Sequence, residues 1–209
     1  MSEWDTKYST GEYTSAKGPS KLLVELLHLL PRGKVLDVAC GEGRNAIFLA
    51  KNGYDVDAID ISGVAVERGR SIAEQDNVKV NFMQSDLENY QIPEETYDLI
   101  VNFNYLQRTL SPAIKRGLKK GGVLIFETFT LEQQGIGPPK NPEFLLKPNE
   151  LLKLFKGPQK MQLHFLTNAI VGQILSQGHP LQSNGSGCLN THIPKRVCSV
   201  LSSHLFLVP

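Results

Sequence analysis

The stretch Val35-Leu-Asp-Val-Ala-Cys-Gly-Glu-Gly-Arg-Asn-Ala46 decides the fold of this 209-residue chain. The run from Lys34 to Cys40 is short, apolar and rich in β-branched residues, which is typical of a buried strand. Gly41 to Gly43 then form a turn, and the residues from Arg44 to Asn52 have helical spacing. A strand, a glycine turn and a helix in this order predict the opening of a βαβ unit.

The same alternation of strand and helix patterns continues on both sides of this stretch. Before it, leucines at helical spacing between Leu22 and Leu30 predict an opening helix. After it, hydrophobic patterns predict four more strands and two more helices, at residues 55–60, 62–75, 78–83, 97–103, 111–120 and 122–128. Strands that alternate with helices predict an α/β protein with a doubly wound, mainly parallel sheet.

Polar residues follow the predicted strands at the edge where such a sheet binds its ligands, beyond the carboxyl ends of the strands. Gly41-Glu-Gly-Arg-Asn-Ala46 fits the spacing G-x-G-x-x-A, which lets the backbone approach a ligand closely at a helix N-terminus. Asp60 lies about 20 residues further on, at the end of the next strand, where a carboxylate can accept hydrogen bonds from both ribose hydroxyls. These loops predict a site for a cofactor that contains adenosine.

Two acidic residues distinguish between such cofactors. Asp37 lies inside the first strand, where its charge disfavours a pyrophosphate but suits a ligand with an ammonium and a sulfonium group. Asp86 follows the third strand and offers an acceptor to an adenine amino group, for which a nicotinamide enzyme has no equal need. The two residues favour S-adenosylmethionine, and an NAD-binding module of the Rossmann type stays as an alternative.

The same residues resemble the motifs of a known family. Val35 to Ala46, Asp60, Ser85-Asp86 and Gly121 to Phe129 are similar to the motifs of class I S-adenosylmethionine-dependent methyltransferases, and the resemblance covers residues 1 to about 157. The subgroup that the chain most resembles is the tellurite-resistance group of small-molecule methyltransferases. That similarity includes Trp4-Asp-x-x-Tyr8, Tyr13, the Arg108 segment and residues 137–148. The resemblance implies a Rossmann-like fold and S-adenosyl-L-methionine as the cofactor.

The resemblance also implies which residues hold that cofactor. The methionine moiety would lie against Asp37 and the glycine loop, the ribose on Asp60, and the adenine near Asp86. The full predicted set is Asp37, Ala39, Cys40, Gly41, Gly43, Asp60, Ile61, Asp86, Leu87 and Asn102. Ala39 stands where the general motif has glycine, but its side chain is small enough to keep the backbone near the ligand.

The methyl acceptor follows less directly from the sequence. Methyl transfer from a sulfonium is an in-line displacement, in which the enzyme holds donor and acceptor about 3 to 3.5 Å apart. Thiolate and oxyanion acceptors arrive nucleophilic, whereas an amine or hydroxyl needs a base. We expect a small-molecule methyltransferase with a thiol or a metalloid oxyanion as the favoured acceptor. A cofactor-binding protein of the same fold without turnover is the alternative. Substrate-side candidates are Tyr13, Asn104, Tyr105, Arg108, Glu127 and Lys140.

Overall charge and composition restrict the other partners. With 22 basic and 21 acidic residues, the net charge of +1 gives no basic field that would attract nucleic acid or an anionic membrane. The first residues lack the pattern of a secretory signal, so we expect a cytoplasmic protein. No metal is expected. The distal residues that could be considered as ligands have a spacing that fits no usual zinc module, and they are Cys188, His192, Cys198 and His204.

The end of the chain differs in composition from the rest. All 21 acidic residues lie at or before Glu150, whereas every charged residue of the segment 151–209 is basic. We expect a methyltransferase domain at 1–157 and an atypical tail at 158–209, which we interpret as an out-of-frame, alternatively spliced or poorly ordered ending. The domain would comprise an N-terminal cap and helix (1–33), a cofactor-binding core (34–130) and a substrate-side loop and helix (131–157). Strand patterns at 161–166 and 197–207 offer a way to complete the sheet.

Overall fold

A computed structural model describes residues 2–13, 18–133, 137–155, 161–166 and 169–174 of the chain. The helices are α1 (Glu3–Thr10), α2 (Lys21–Leu26), α3 (Arg44–Lys51), α4 (Gly63–Gln75), α5 (Ser111–Gly117) and α6 (Glu150–Phe155). The strands are β1 (Lys34–Val38), β2 (Asp55–Asp60), β3 (Asn81–Gln84), β4 (Tyr97–Phe103), β5 (Leu118–Glu127), β6 (Met161–Leu166) and β7 (Ala169–Ile174). Short 3₁₀ turns lie at Leu27–Leu29, Arg108–Leu110, Leu131–Gln133 and Pro142–Phe144.

The seven strands form one sheet in the order β3-β2-β1-β4-β5-β7-β6. Strands β1 to β5 are parallel, whereas β7 runs antiparallel between β5 and β6. The chain order reverses between β1 and β4, and ligands of open α/β sheets bind at such a switch point. The predicted doubly wound, mainly parallel sheet is confirmed.

Hydrophobic residues cover both faces of the sheet, as a central parallel strand requires. Val35 and Leu36 are adjacent in β1 and fully buried, yet they belong to different cores. One core includes residues of α2, α3 and α4, and the other includes residues of α5 and α6. This two-sided burial holds the carboxyl ends of the strands in fixed positions beneath the loops.

The sequence pattern was wrong about the helix predicted at 111–120. Helix α5 ends at Gly117, and Leu118 already pairs with Tyr97 in the sheet. Leu118 and Tyr97 are both almost fully buried, so strand pairing and burial outweigh the helical propensity of the two lysines that follow. The pattern also did not predict α1, although Ser2 and Asp5 form a capping box at its start.

Two strands lie in the segment predicted to be an atypical tail. The strand expected at 161–166 is present as β6, but the strand that pairs with β5 is β7, whose residues were not expected to form one. The segment 197–207 lies outside the described residues. With β7 in place the edge of β5 is paired, while the boundary at residue 157 stays a prediction.

No helix in the described ranges is long and apolar enough to cross a membrane.

Candidate active site

The loop after β1 turns sharply because three of its residues have a left-handed backbone. The φ angles are 53° at Ala39, 58° at Gly41 and 75° at Gly43, and the Gly43 amide closes the turn by donating to the Cys40 carbonyl at 3.0 Å. At Gly41 a side chain is also excluded sterically, because a Cβ would lie 2.6 Å from the Tyr8 hydroxyl. The turn brings backbone, and little side-chain bulk, to the edge of the sheet.

Ala39 carries a conformational strain that glycine would remove. A left-handed residue with a Cβ costs about 1–2 kcal/mol, and the greater chain entropy of glycine offsets about half of this. We therefore expect Ala39→Gly to raise the free energy of unfolding by up to about 1 kcal/mol. Ala50→Gly, inside α3, is the matched control and should lower it by about 1 kcal/mol in urea unfolding. If Ala39→Gly and Ala50→Gly lower the free energy of unfolding equally, the backbone of Ala39 is not strained.

Asp60, at the end of β2, holds this loop in place. Its Oδ2 accepts a hydrogen bond from the Gly41 amide at 2.7 Å, and its Oδ1 accepts one from the Ser62 amide at 2.9 Å. Burial nevertheless raises the pKa of Asp60, although these backbone amides favour the charged form. Because each carboxylate oxygen can accept two hydrogen bonds, both retain capacity for a ligand hydroxyl.

Asp37 lies in the middle of the site with an unused oxygen. The side chain is 2% exposed, and its Oδ2 finds no hydrogen-bond partner in the part of the chain that the structure describes. Burial raises the pKa of Asp37 to about 7, although a hydrogen bond from the Ala46 backbone amide and the nearby Arg44 charge act in the opposite direction. A buried carboxylate with a free oxygen is suited to a cation, which would restore its ionised form.

These residues line one cavity of about 390 Å³ at the carboxyl ends of β1, β2 and β4. Of the predicted cofactor set, Asp37, Ala39, Cys40, Gly41, Asp60, Ile61, Asp86 and Leu87 line it. Of the substrate-side candidates, Tyr13, Asn104 and Tyr105 do so. Burial raises the pKa of Tyr105 to about 12 and that of the Cys40 thiol well above its ordinary range, so both groups stay protonated at neutral pH.

Two predicted cofactor residues do not line the cavity and support it from outside. Gly43 caps α3, and a Cβ there would lie 2.4 Å from the ring of Phe82, so this glycine is required for packing. Asn102 is 1% exposed, and its amide donates to the Tyr105 carbonyl at 2.8 Å. Asn102 therefore fixes the loop after β4 through its Nδ2, and its predicted role in cofactor binding stays a prediction.

Three predicted substrate-side residues are also absent from the described lining of the cavity. Glu127 accepts a hydrogen bond from the Ser20 hydroxyl at 3.1 Å, and Lys140 is exposed. Arg108 binds the Glu150 carboxylate, with Nε to Oε1 at 2.6 Å and Nη2 to Oε2 at 3.2 Å. Its guanidinium also donates to the carbonyls of Glu143 and Leu145. Arg108 thus fastens the loop before α6, because four hydrogen bonds join its guanidinium to that segment and to Glu150.

We expect Arg108→Ala to lower the free energy of unfolding by about 1–3 kcal/mol, since it removes a bidentate ion pair and leaves carbonyls without donors. Arg108→Lys should restore only part of this, because an ammonium cannot reproduce the fork. Arg116→Ala is the control: its guanidinium contacts Glu94 at 3.0 Å on the surface, and its loss should cost under about 1 kcal/mol. Chemical denaturation measures the free energy of unfolding of all three variants. If Arg108→Ala lowers it no more than Arg116→Ala does, Arg108 does not fasten the loop before α6.

The cavity also contains residues that were not assigned to the site from the sequence. These are Trp4, Tyr8, Arg44, Asn45, Glu88 and Phe103. Trp4 and Tyr8 come from α1, and their rings contact that of Tyr13 at centroid distances of 5.4 Å and 5.2 Å. The Trp4-Asp-x-x-Tyr8 motif was the available signal, but only the docking of α1 brings it over the glycine loop.

Comparison with known proteins agrees with this geometry. Residues 35–122 match the family model described as a methyltransferase domain. The uncharacterized methyltransferase YbaJ of Bacillus subtilis is 30% identical over an alignment 213 residues long, which covers 82% of this chain and 83% of YbaJ. The chain belongs to the class I S-adenosylmethionine-dependent methyltransferases. Residues 1–157 make up less than 82% of the chain. The YbaJ alignment therefore extends into the residues after 157.

Two further relatives are also described as methyltransferases. TehB of Haemophilus influenzae, described as a probable S-adenosyl-L-methionine-dependent methyltransferase, is 28% identical over an alignment 141 residues long, which covers 64% of this chain and 49% of TehB. The chain thus spans about half the length of TehB. The crystal structure of TehB has a TM-score of 0.62 at 20% identity, covering 82% of this chain and 67% of that one, which supports the shared fold. A probable thiol methyltransferase of Arabidopsis thaliana is 27% identical over an alignment 148 residues long, which covers 65% of each chain.

The cofactor of this family is S-adenosyl-L-methionine, and the described residues fit it. The test is the chemistry of the donor set: the unpaired oxygen of Asp37 suits a cationic group, and Asp60 offers acceptors at the end of β2. Arg44 is the arginine in the described lining of the cavity, and its guanidinium suits the carboxylate of the cofactor's methionine moiety. Among the described residues, no cluster of histidine, cysteine or acidic side chains could hold a metal. The four distal residues considered for a metal site lie outside them.

Proposed function

We propose that this chain transfers a methyl group from S-adenosylmethionine to a small-molecule acceptor. When bound, the cofactor supplies an electrophilic methyl group. The observation that carries the proposal is the buried carboxylate of Asp37, with its free oxygen inside the cavity at the switch point of the sheet. Asp37 would hold the cationic end of the cofactor and Asp60 its ribose, while Asp86 and Leu87 would lie beside the adenine.

The charges of the cavity favour a neutral acceptor over an anion. Four carboxylates line it, those of Asp37, Asp60, Asp86 and Glu88, against one guanidinium in the described lining, that of Arg44. Arg44 also donates to the Gly18 carbonyl at 3.1 Å. An oxyanion would therefore enter a negative field with little compensation. Of the two acceptor classes expected from the sequence, we propose the thiol, and the similarity to a probable thiol methyltransferase supports this choice.

A thiol acceptor needs only a weak base. Its pKa is about 8.5, so it can enter the negative cavity uncharged and pass its proton to a lining carboxylate, such as that of Glu88, as its sulfur takes the methyl group from the cofactor. Tyr13 and Tyr105 line the cavity with their pKa values raised by burial, so they offer hydroxyl groups and not phenolates. The aromatic wall of Trp4, Tyr8 and Tyr13 would exclude water from the reacting atoms. The protein's contribution is therefore chiefly to position and to desolvate.

Two measurements test the proposal. Calorimetry should detect binding of S-adenosylmethionine and S-adenosylhomocysteine but not of NAD. Release of S-adenosylhomocysteine should then be observed with small neutral thiols, and much more weakly with selenite or tellurite. Binding of NAD would favour the dinucleotide alternative. Cofactor binding without release for any acceptor would leave a binding protein of methyltransferase fold.

A further inference from the structure

The Trp4-Asp-x-x-Tyr8 motif contains a buried acid that the proposed chemistry does not use. Asp5 is 6% exposed, and three donors surround its carboxylate. The Ser2 amide donates to Oδ2 at 2.8 Å, while the Ser62 hydroxyl and the Val64 amide donate to Oδ1 at 2.8 Å and 3.2 Å. The hydrogen bond from Ser62 is the chief reason why the pKa of Asp5 is lowered to about 2. Asp5 is therefore a charged link between α1 and the start of α4.

This link continues directly into the cofactor loop. The Ser62 amide donates to Asp60 Oδ1 at 2.9 Å, and Asp60 Oδ2 accepts from the Gly41 amide at 2.7 Å. The Ser62 hydroxyl also accepts from the Ala65 amide at 3.2 Å and caps α4. One residue, Ser62, thus stands between Asp5 and the predicted ribose acceptor Asp60.

A second set of contacts leads from α1 back to the same loop. The Tyr8 hydroxyl lies so close to Gly41 that a Cβ there would be 2.6 Å from it. Arg68 of α4 donates to the Tyr8 carbonyl at 3.1 Å and to Glu42 Oε1 at 3.2 Å. The start of α1 is therefore fixed by Asp5, and its end by Tyr8 and Arg68. Trp4 and Tyr8 are held as a wall of the cavity between these anchors.

We infer that Asp5 is a positioning residue that docks α1 on the start of α4 and so couples the aromatic wall to the cofactor loop. The inference rests on the proposed function, because the loop is assigned to cofactor binding. A purely local role, as part of the capping box with Ser2, would stabilise α1 without affecting the cavity. The two roles differ in which partner matters: Ser62 for docking, and Ser2 for capping.

Trp4 makes the docking of α1 measurable, because it is the single tryptophan of the chain. In the wild type, its fluorescence should change when S-adenosylhomocysteine is added. In Asp5→Ala we expect red-shifted emission, greater quenching by acrylamide, and a dissociation constant for S-adenosylhomocysteine that is about tenfold higher. Glu3→Ala is the matched control, since Glu3 lies on the same helix with an exposed side chain paired to Lys7. It should behave as the wild type.

Partner variants separate docking from capping. Ser62→Ala should reproduce the fluorescence and affinity changes of Asp5→Ala, and the double variant should add little to either. Ser2→Ala should leave both close to the wild type. If Asp5→Ala does not fold, Asp5→Asn is measured instead. Its amide oxygen can still accept from Ser62 and Val64, so it should retain the fluorescence response that Ser62→Ala loses.

The outcomes distinguish this inference from the proposed function. If the wild type fails to bind S-adenosylhomocysteine, the proposed function is wrong. If it binds, and Asp5→Ala and Ser62→Ala match Glu3→Ala in affinity and fluorescence, Asp5 is not a positioning residue although the proposed function stands. An effect of Ser2→Ala as large as that of Asp5→Ala would also overturn the inference, because capping alone would then explain it.

Discussion

Asp37→Asn is expected to weaken binding of S-adenosylmethionine about a hundredfold while stabilising the protein without ligand. Removing one partner of a buried charge pair costs about 2–5 kcal/mol, and about 2.7 kcal/mol corresponds to a hundredfold change. In the free protein the ionised form of the same carboxylate destabilises the fold, because burial raises its pKa to about 7. Calorimetry measures the loss of affinity, and urea unfolding at pH 8 measures the gain in stability.

The pH dependence follows from the direction of this shift. A carboxyl group whose pKa is higher in the folded than in the unfolded state binds more protons when folded, so its ionisation opposes folding. This cost develops as the pH rises from about 4 to about 7 and amounts to a few kcal/mol at about 1.4 kcal/mol per pH unit. The advantage of Asp37→Asn should therefore be small at pH 4 and complete above pH 7. Conversely, binding of the cofactor by the wild type should weaken as the pH falls below 7.

Asp98→Asn is the matched control, since it makes the same chemical change in β4 of the same sheet. Burial opposes the ionised form of Asp98, but hydrogen bonds from the Lys119 ammonium and the Lys34 amide outweigh it and lower the pKa. Asp98→Asn should destabilise the protein at pH 7 and leave cofactor affinity unchanged. If Asp37→Asn lowers stability at pH 8 or keeps wild-type affinity, the role of Asp37 is wrong.

The second large effect is expected at Asp60. Asp60→Ala should weaken binding of S-adenosylhomocysteine roughly ten- to a hundredfold, because hydrogen bonds to a charged group contribute about 1.5–3 kcal/mol. It should also lower the free energy of unfolding, since the amides of Gly41 and Ser62 lose their acceptor. Both effects come from one carboxylate, so the loss of affinity includes a contribution from the loosened loop.

Asp55→Ala controls for the loss of an acid from the same strand. Asp55 lies at the opposite end of β2, with a side chain that is 73% exposed and contacts Lys34 at 3.4 Å. Its removal should leave affinity unchanged and cost under about 1 kcal/mol in stability. A folded Asp60→Ala variant with unchanged affinity would remove Asp60 from the cofactor site.

The residues that the sequence located well share a physical origin. Asp37, Gly41, Asp60 and Asp86 lie in or just after parallel strands, and the carboxyl ends of parallel strands always meet at one edge of the sheet. Short-range patterns therefore determined their position in space. The same patterns determined the bounds of β2 and β4, whose apolar runs are buried on both faces.

Charged residues whose partners are distant in sequence could not be assigned in this way. Arg108 and Glu127 looked like ligands for a substrate, but they bind Glu150 and Ser20, which are distant in sequence. A guanidinium or carboxylate binds whichever complementary group the fold brings near, and only the tertiary structure shows which group that is. The Asn102 side chain also has a partner that the sequence did not predict, since its Nδ2 donates to the Tyr105 carbonyl.

The sequence by itself determined the parallel sheet, the glycine loop and the acids at its edge, because apolar runs, turns and strand ends are local features. The tertiary structure alone decided that α1 forms a wall of the cavity and that β7 pairs with β5. Docking of α1 depends on Asp5 meeting Ser62, 57 residues away, and strand pairing depends on backbone groups that every residue carries. Neither contact produces a periodic pattern in the sequence, because each joins segments that are distant along the chain.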